Sequence, residues 1–313
     1  MIEIVRYSEQ WSSAWDALVS RSRNGTFLHC RAYMDYHRER FTDCSLLAVD
    51  GDRLVTALPA CCDGDVLYSH AGLTYGGWLL PPTHFDVTTM LAVMDATTQW
   101  MRQHGFARLV YKPVPHIFHR YPADDDLYAL WRCGAVATGC NVSTTIDLSQ
   151  PIAMGHGCKG GLNVSRRAGV TVGRSDDWAA YWQLLEDVLR ERHQATPVHT
   201  LDEMLRLRDC FPDNIHLYTA TISGTIVAGI VTYTTHTVMH CQYTASGEQG
   251  RQSRALAPLI AHLIEVATKQ GLRYLDFGTS NADQGHWLDE GLVQQKSQYG
   301  GRSIVFPTLT LTI

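Results

Sequence analysis

One order of secondary structure runs through this chain twice, and that repetition limits the fold more than any single motif does. In the second half, Asp176 and Asp177 precede Trp178, Tyr181, Trp182, Leu185, Val188 and Leu189, spacings of three and four that put the apolar side chains on one helical face. Thr200-Leu201-Asp202-Glu203 is a capping box that opens a second helix, ended by Pro212. Three strand-like runs follow, Ile215 to Ile222, Thr225 to Thr234 and Thr237 to Thr244, the first two joined by the Ser223-Gly224 turn. A helix from about Arg254 to Gln270 stops at Gly271 and feeds a strand, Arg273 to Phe277.

The first half repeats this order. A helix carries Trp11, Trp15 and Leu18, and a second is expected over His29 to Arg40. Strands follow at Ser45 to Val49, Arg53 to Ala60 and Val66 to His70, then a helix from Phe85 to His104, Gly105, and a strand from Arg108 to Lys112. The helix-ending glycines Gly105 and Gly271 lie 166 positions apart, and the hairpin glycines Gly51 and Gly224 lie 173 apart. Near-constant offsets at two landmarks point to a duplicated unit. The boundary is expected near Leu148 to Gly161, where Gly and Pro interrupt the pattern. This predicts two domains, 1–150 and 151–313.

Composition narrows the class. The chain has 313 residues, 45 % of them hydrophobic, which suits packed globular domains and not disorder. Its formal charge of −5 argues against general nucleic-acid binding. No run approaches the ~18 apolar residues that span a bilayer. The alternating start, Met1 to Tyr7, reads as a strand and not as a secretion signal, so a cytoplasmic location is the default expectation. The nine cysteines include no Cys-x-x-Cys, and Cys61 adjoins Cys62. Buried free thiols are therefore expected, with neither a zinc ribbon nor a disulfide framework.

Meander, helix, strand in each half resembles the GNAT acyltransferase fold. Three segments resemble its FemAB-like branch more closely: the basic run from Gly161 to Val170, the strand Tyr274-Leu275-Asp276-Phe277-Gly278, and Gly291 to Gly301, where Lys296 precedes Tyr299-Gly300-Gly301. The resemblance implies an α/β fold of two tandem GNAT-like (acyl-CoA N-acyltransferase) domains, with mixed, mostly antiparallel sheets flanked by helices. It also implies an acyl donor site in 151–313. Two departures bear on the donor. The stretch from Trp178 to Cys210 has room for two short helices but not for the helical arm of the branch members that extend peptidoglycan precursors. The GNAT diphosphate loop, Q/R-x-x-G-x-G/A, is matched only loosely by Gln249 to Ala255, which has one glycine.

Acyl transfer to an amine needs a deprotonated nucleophile, a donor carbonyl held beside it and stabilisation of the oxyanion. Lys296, which matches the lysine of the family's terminal motif, either stabilises negative charge or is a surface lysine at a helix end. Asp276, between Leu275 and Phe277, either takes a proton and fixes a substrate amine or accepts backbone hydrogen bonds and shapes the next loop; Glu290 has the same two readings. His240 is either a general base or structural. A shared metal for His236 and His240 is not expected, because four strand residues span ~13 Å. Gly250, Arg251, Ser253 and Arg254 are assigned to the acyl-CoA diphosphate, at a helix start. With Lys159 and Arg174, Arg166 and Arg167 either bind acceptor or coenzyme phosphates or protect a solvated strand edge. Tyr75 and Trp78, in a glycine-rich run, are assigned to the lip of an acceptor pocket between the halves, and Tyr243 to substrate binding.

These assignments converge on transfer of an acyl group from acyl-CoA to an amine of a small polar acceptor, with amino sugars of cell-envelope polysaccharide precursors as the acceptor class. Aminoacyl transfer from charged tRNA to a peptidoglycan precursor is the alternative enzyme, and an inactive GNAT-like binding module the non-enzymatic one. No Gly-x-Ser-x-Gly elbow supports a serine hydrolase, and no Gly-x-Gly-x-x-Gly supports a dinucleotide enzyme. No metal is expected, and the sequence leaves monomer and homo-oligomer open.

Overall fold

A computed structural model describes residues 1–313, apart from the side chains of His37 and His193. The chain gathers into two compact units, neither contiguous: unit 1 comprises Met1–Asn141, Asn281–Trp287 and Val305–Ile313, and unit 2 comprises Val142–Ser280 and Leu288–Ile304.

In unit 1, β1 (Glu3–Arg6), β3 (Leu46–Asp50) and β4 (Arg53–Leu58) form an antiparallel ladder around the Gly51 turn. A second group pairs β2 (Thr42–Asp43) with β5 (Cys61–Asp63) and β5 with β6 (Val66–Tyr68), all antiparallel, and β6 with β7 (Arg108–Tyr111) in parallel. Its helices are α1 (Ser12–Arg21), α2 (Arg31–Met34), α3 (Val87–Gln103) and α4 (Asp125–Arg132). Met90, Val93, Met94, Thr97, Trp100 and Met101 give α3 one buried stripe, and Asp86 caps its start by accepting from the Thr89 N–H. The helix expected over His29 to Arg40 is shorter: α2 is one turn, followed by a 3-10 turn at Asp35–His37. The structure also joins Cys44 to Cys62, so these two are not the free thiols expected. Strand pairing of β2 with β5 brings the two cysteines together across the ladder, which residue spacing does not reveal. Of the free cysteines, Cys61, Cys158 and Cys241 are buried while Cys140 and Cys210 are exposed.

Unit 2 begins within β8 (Val136–Asp147) and continues through α5 (His156–Arg167), β9 (Thr171–Ser175), α6 (Trp178–His193) and α7 (Leu201–Cys210). Next come β10 (Ile215–Ile222), β11 (Thr225–Thr234), β12 (Val238–Ser246), α8 (Glu248–Gln252), α9 (Leu256–Lys269) and β13 (Tyr274–Thr279). The Ser223-Gly224 hairpin turn has both residues at positive φ, as a two-residue turn of this hand requires. Thr200 and Glu203 complete the capping box of α7. Strand order is β8-β13-β12-β11-β10-β9, antiparallel except for β12 beside β13. The chain then makes a small ladder, β14 (Asn281–Ala282) with β15 (Trp287–Leu288), followed by α10 (Glu290–Ser297) and β16 (Arg302–Thr312), whose last residues pair with β7 in unit 1. Among the described residues no helix is long and apolar enough to cross a membrane.

The side chains of unit 2 alternate between the two faces of the sheet. Ala228 and Ile230 pack with Leu259 and Leu263 of α9 in one buried cluster. Between them Gly229 faces the other way: a Cβ there would lie 2.4 Å from the Tyr181 ring of α6. The period of two thus sets α9 and α6 on opposite faces. Helix α5 lies against α9, where Gly161 leaves only 3.2 Å between an added Cβ and that of Ala257. Gly161 therefore permits close packing of the two helices, where sequence reading took the glycines as an interruption.

Candidate active site

Parallel pairing of β12 with β13 covers only Val238↔Tyr274, Met239↔Leu275 and His240↔Asp276. Beyond these pairs the strands diverge. A pocket of about 960 Å³ lies there, lined by Cys241, Gln242 and Thr244 of β12 and Phe277 of β13. Gln242 is itself the extra residue of a β-bulge, since Val231 pairs with Tyr243 but Thr232 with Cys241. A bulge frees backbone groups from the ladder, here on a strand that borders the pocket.

One wall is the corner between α8 and α9. Gly250, Arg251 and Arg254 all line the pocket. Gly250 is required by contact: a Cβ would meet the Val227 carbonyl oxygen at 2.2 Å. Arg251 Nη1 donates to the Ser246 carbonyl (2.8 Å), tying α8 to the end of β12. Arg254 turns the corner with φ +55°, and the single O–H of Ser165 on α5 is shared among the carbonyls of Gly161 (2.8 Å), Ser253 and Arg254 (2.9 Å each). Ser253 is buried, donates to the Gly250 carbonyl (3.3 Å) and is not among the lining residues, so it shapes the corner without reaching the space.

Lys296, on α10, forms part of the opposite wall. Its Nζ donates to the carbonyls of Gly278 and Thr279 and to Ser280 Oγ, each at 2.8 Å. Burial lowers its pKa to about 8, against the opposing pull of the Asp276, Cys241 and Asp289 charges. Asp276 is fully buried behind this wall. Its Oδ1 accepts from Ser143 Oγ (2.5 Å) and Thr145 Oγ1 (2.6 Å), and its Oδ2 from His240 Nδ1 (2.6 Å) and the Gly278 N–H (3.2 Å). Burial pushes the carboxyl up, but the His240 hydrogen bond and charge, with the two hydroxyls, hold it below its usual range. With four donors on two oxygens, Asp276 is a saturated acceptor. It orients His240 and the Gly278 turn whose carbonyl receives Lys296. Neither Asp276 nor His240 is a lining residue.

Several expected site residues lie elsewhere. Glu290 is exposed at the start of α10 and outside the lining; the carboxylate that lines the pocket is its neighbour Asp289, the N-cap, whose Oδ1 accepts from the Leu292 N–H. Arg166 and Arg167 are exposed on the last turn of α5, a helix and not a strand edge, and do not line the pocket. Tyr243 points its ring at Trp182 of α6 and its hydroxyl at His199 Nδ1 (2.6 Å). Tyr75 and Trp78 are core residues of unit 1, 3 % and 0 % exposed, so they form no pocket lip. Tyr75 packs at a tilt against Phe118, ring centroids 4.5 Å apart, and the Trp78 backbone N–H donates to Tyr111 Oη. Sequence reading missed Asp289, Gln242 and Arg192. The pattern Asp-Glu-Gly ahead of an apolar residue marks Asp289 as a cap, but an added bulge residue leaves no sequence trace. Among the described residues no group of three or more His, Cys, Asp or Glu can hold a metal ion.

Residues 160–286 match the acetyltransferase (GNAT) domain family, a stretch that holds β12, β13 and the α8–α9 wall of the pocket. By that match residues 160–286 are GNAT-like, and the fold of the whole chain is similar to that of FemX and of a tandem GNAT protein. Among solved structures it resembles FemX, 11 % identical, with a TM-score of 0.70 over 99 % of this chain and 97 % of that one. It also resembles the C-terminal domain of a putative lysylphosphatidylglycerol synthetase from Agrobacterium fabrum, 11 % identical, with a TM-score of 0.62 over 97 % and 92 %. A tandem GNAT protein from the clavulanic acid biosynthesis pathway is 13 % identical, with a TM-score of 0.52 over 100 % and 98 %. At such identities the likeness concerns the fold alone. No curated protein matches the chain.

Proposed function

We propose that this protein is an N-acyltransferase that moves an acyl group from acyl-CoA to an amine of a small polar acceptor, with its active site in the pocket of unit 2. The observation that carries this reading is the pocket itself: one space is bordered by the α8–α9 corner with Arg251 and Arg254, by the bulged strand β12 and by Lys296. The corner offers cations and a helix start to the donor's diphosphate. The freed backbone of β12 receives the thioester carbonyl. The acceptor nitrogen attacks the thioester carbon, and the oxygen takes up negative charge near the Lys296 ammonium. Collapse then breaks the carbon–sulfur bond and expels coenzyme A as thiolate, which takes up the proton given off by the nitrogen and leaves as the thiol. Lys296 already uses its three N–H donors on protein acceptors, so it acts as a fixed charge and not as a proton carrier. Asp289, the one carboxylate among the lining residues, draws the acceptor's ammonium form toward the reacting centre, where it releases a proton to solvent before the neutral amine attacks.

An amino sugar of a cell-envelope polysaccharide precursor fits as acceptor class by family analogy. The aminoacyl-tRNA alternative is supported by the fold likeness to FemX and by the exposed Lys159, Arg166 and Arg167 of α5. Against it, α6 and α7 account for Trp178–Cys210 without an inserted arm. The two are separated by ligand binding. Coenzyme A should raise the melting temperature, and free thiol should appear when acyl-CoA and an amine are supplied. Indifference to coenzyme A together with salt-dependent binding of charged tRNA would replace the donor. Ligand binding without turnover would leave only the inactive module.

A further inference from the structure

The pocket's charge is lopsided. Arg192, Arg251, Arg254 and Lys296 line it, against the lone carboxylate of Asp289. Lys296 and Arg251 are engaged with protein acceptors. Arg254 stands at the α8–α9 corner beside α5, its Cβ 3.6 Å from a Cβ added at Gly161. Arg192 comes from α6, which packs on β11 and β12 from the face opposite α9.

The stripe Leu184, Val188, Arg192 repeats every four residues, so all three lie on one side of α6. Leu184 Cδ1 approaches Gly247, the residue before α8, within 2.9 Å of where a Cβ would stand. Val188 and Arg192 line the pocket one and two turns further on. At 1.5 Å per residue, Arg192 is displaced about 12 Å along α6 from the contact at Gly247. Arg192 and Arg254 thus border the pocket from helices on opposite faces of the sheet. Among the described residues Arg192 has no carboxylate partner, whereas Arg190 on the same helix is paired with Asp187.

We propose that Arg192 forms a second anion subsite of this pocket, on the α6 face, that takes a phosphate or carboxylate group of the acceptor. That the ligand is an acceptor rests on the acyl-transfer reading above; the subsite itself does not. Coenzyme A carries a 3′-phosphate besides its diphosphate, so phosphate binding in the presence of saturating coenzyme A is the result that assigns Arg192 to the acceptor.

The test is titration calorimetry on the full chain, with inorganic phosphate as the first probe, acetate as the second, and Arg192→Gln and Arg254→Gln as variants. Arg192 is exposed, so its substitution leaves folding intact. With coenzyme A saturating, phosphate should still bind the parent protein, and Arg192→Gln should weaken it at least tenfold. Arg254→Gln should weaken coenzyme A instead. A clear preference for phosphate or for acetate identifies the anion that the acceptor carries. Complete displacement of phosphate by coenzyme A, or equal phosphate binding by Arg192→Gln and the parent, overturns the second subsite. If coenzyme A fails to bind at all, the donor reading falls on its own. Phosphate should then still occupy two sites in the parent and one in each variant, and a single site abolished by Arg254→Gln alone would overturn the proposal.

Discussion

Lys296 holds a charge where solvation is poor, and its three hydrogen bonds are what keep it there. Replacing it with alanine should cut turnover by about 10²–10³-fold, the scale for removing one oxyanion-stabilising group. Stability should fall by no more than about 1–3 kcal/mol, the range for leaving buried acceptors unpaired; steady-state kinetics and melting curves separate the two effects. Because burial lowers the pKa to about 8, the ammonium is lost as pH rises past that value. The rate of acyl transfer should therefore decline above about pH 8, a limb absent from the alanine variant. The stability effect has the opposite sign: the unfolded chain holds this proton more tightly, so stability rises between about 8 and the ordinary lysine value. Sequence motif alone pointed to Lys296, since a lysine before an aromatic-glycine-glycine turn is legible in one dimension. Tyr75 and Trp78 show the limit: glycine and aromatics together suit a pocket lip or a packed core, and only the partners Phe118 and Tyr111 decide between them.

At the scale of elements, the corner from β12 into α8 tolerates little change. Gly250→Ala drives a Cβ into a backbone oxygen, which cannot swing aside as a side chain can. The variant should lose about 1–3 kcal/mol by overpacking and bind coenzyme A more weakly, as a thermal-shift titration would reveal. Most long elements of unit 2 were readable, since α6, α7, β10 and β11 announce themselves by period, cap and turn. Helix α5 was not. Its glycines lower helix propensity, yet tertiary contact with α9 favours one of them, Gly161. Sequence reading also omitted β8 and β16, whose edges are defined by partners distant in the chain.

For the whole molecule, two buried carboxylates give stability two different pH dependences. Asp126 in unit 1 accepts from Tyr111 Oη (2.5 Å), and burial raises its pKa to about 7. The folded chain keeps this proton while the unfolded chain has released it, so stability falls as pH rises from about 4 to about 7. Asp276 in unit 2 is held below its ordinary value, so its contribution is present above that value and lost only in stronger acid. Melting temperatures from pH 4 to 8 should show the first slope, and Asp126→Asn should flatten it. The duplicated order of elements was visible from glycine positions, but the return of the last residues to unit 1 was not, because no local pattern encodes which neighbour a final strand will choose. The parting of β12 and β13 has one further effect. Beyond His240, β12 has no β13 partner for its peptide groups, and adjoining strands in a sheet ordinarily sit about 4.8 Å apart. A slender arm with its own amides can zip into such a slot as a surrogate strand, while a broad, flat molecule finds no matching rungs. Recognition of that kind is written in the main chain, so side-chain substitution there should alter affinity far less than any change that closes the seam.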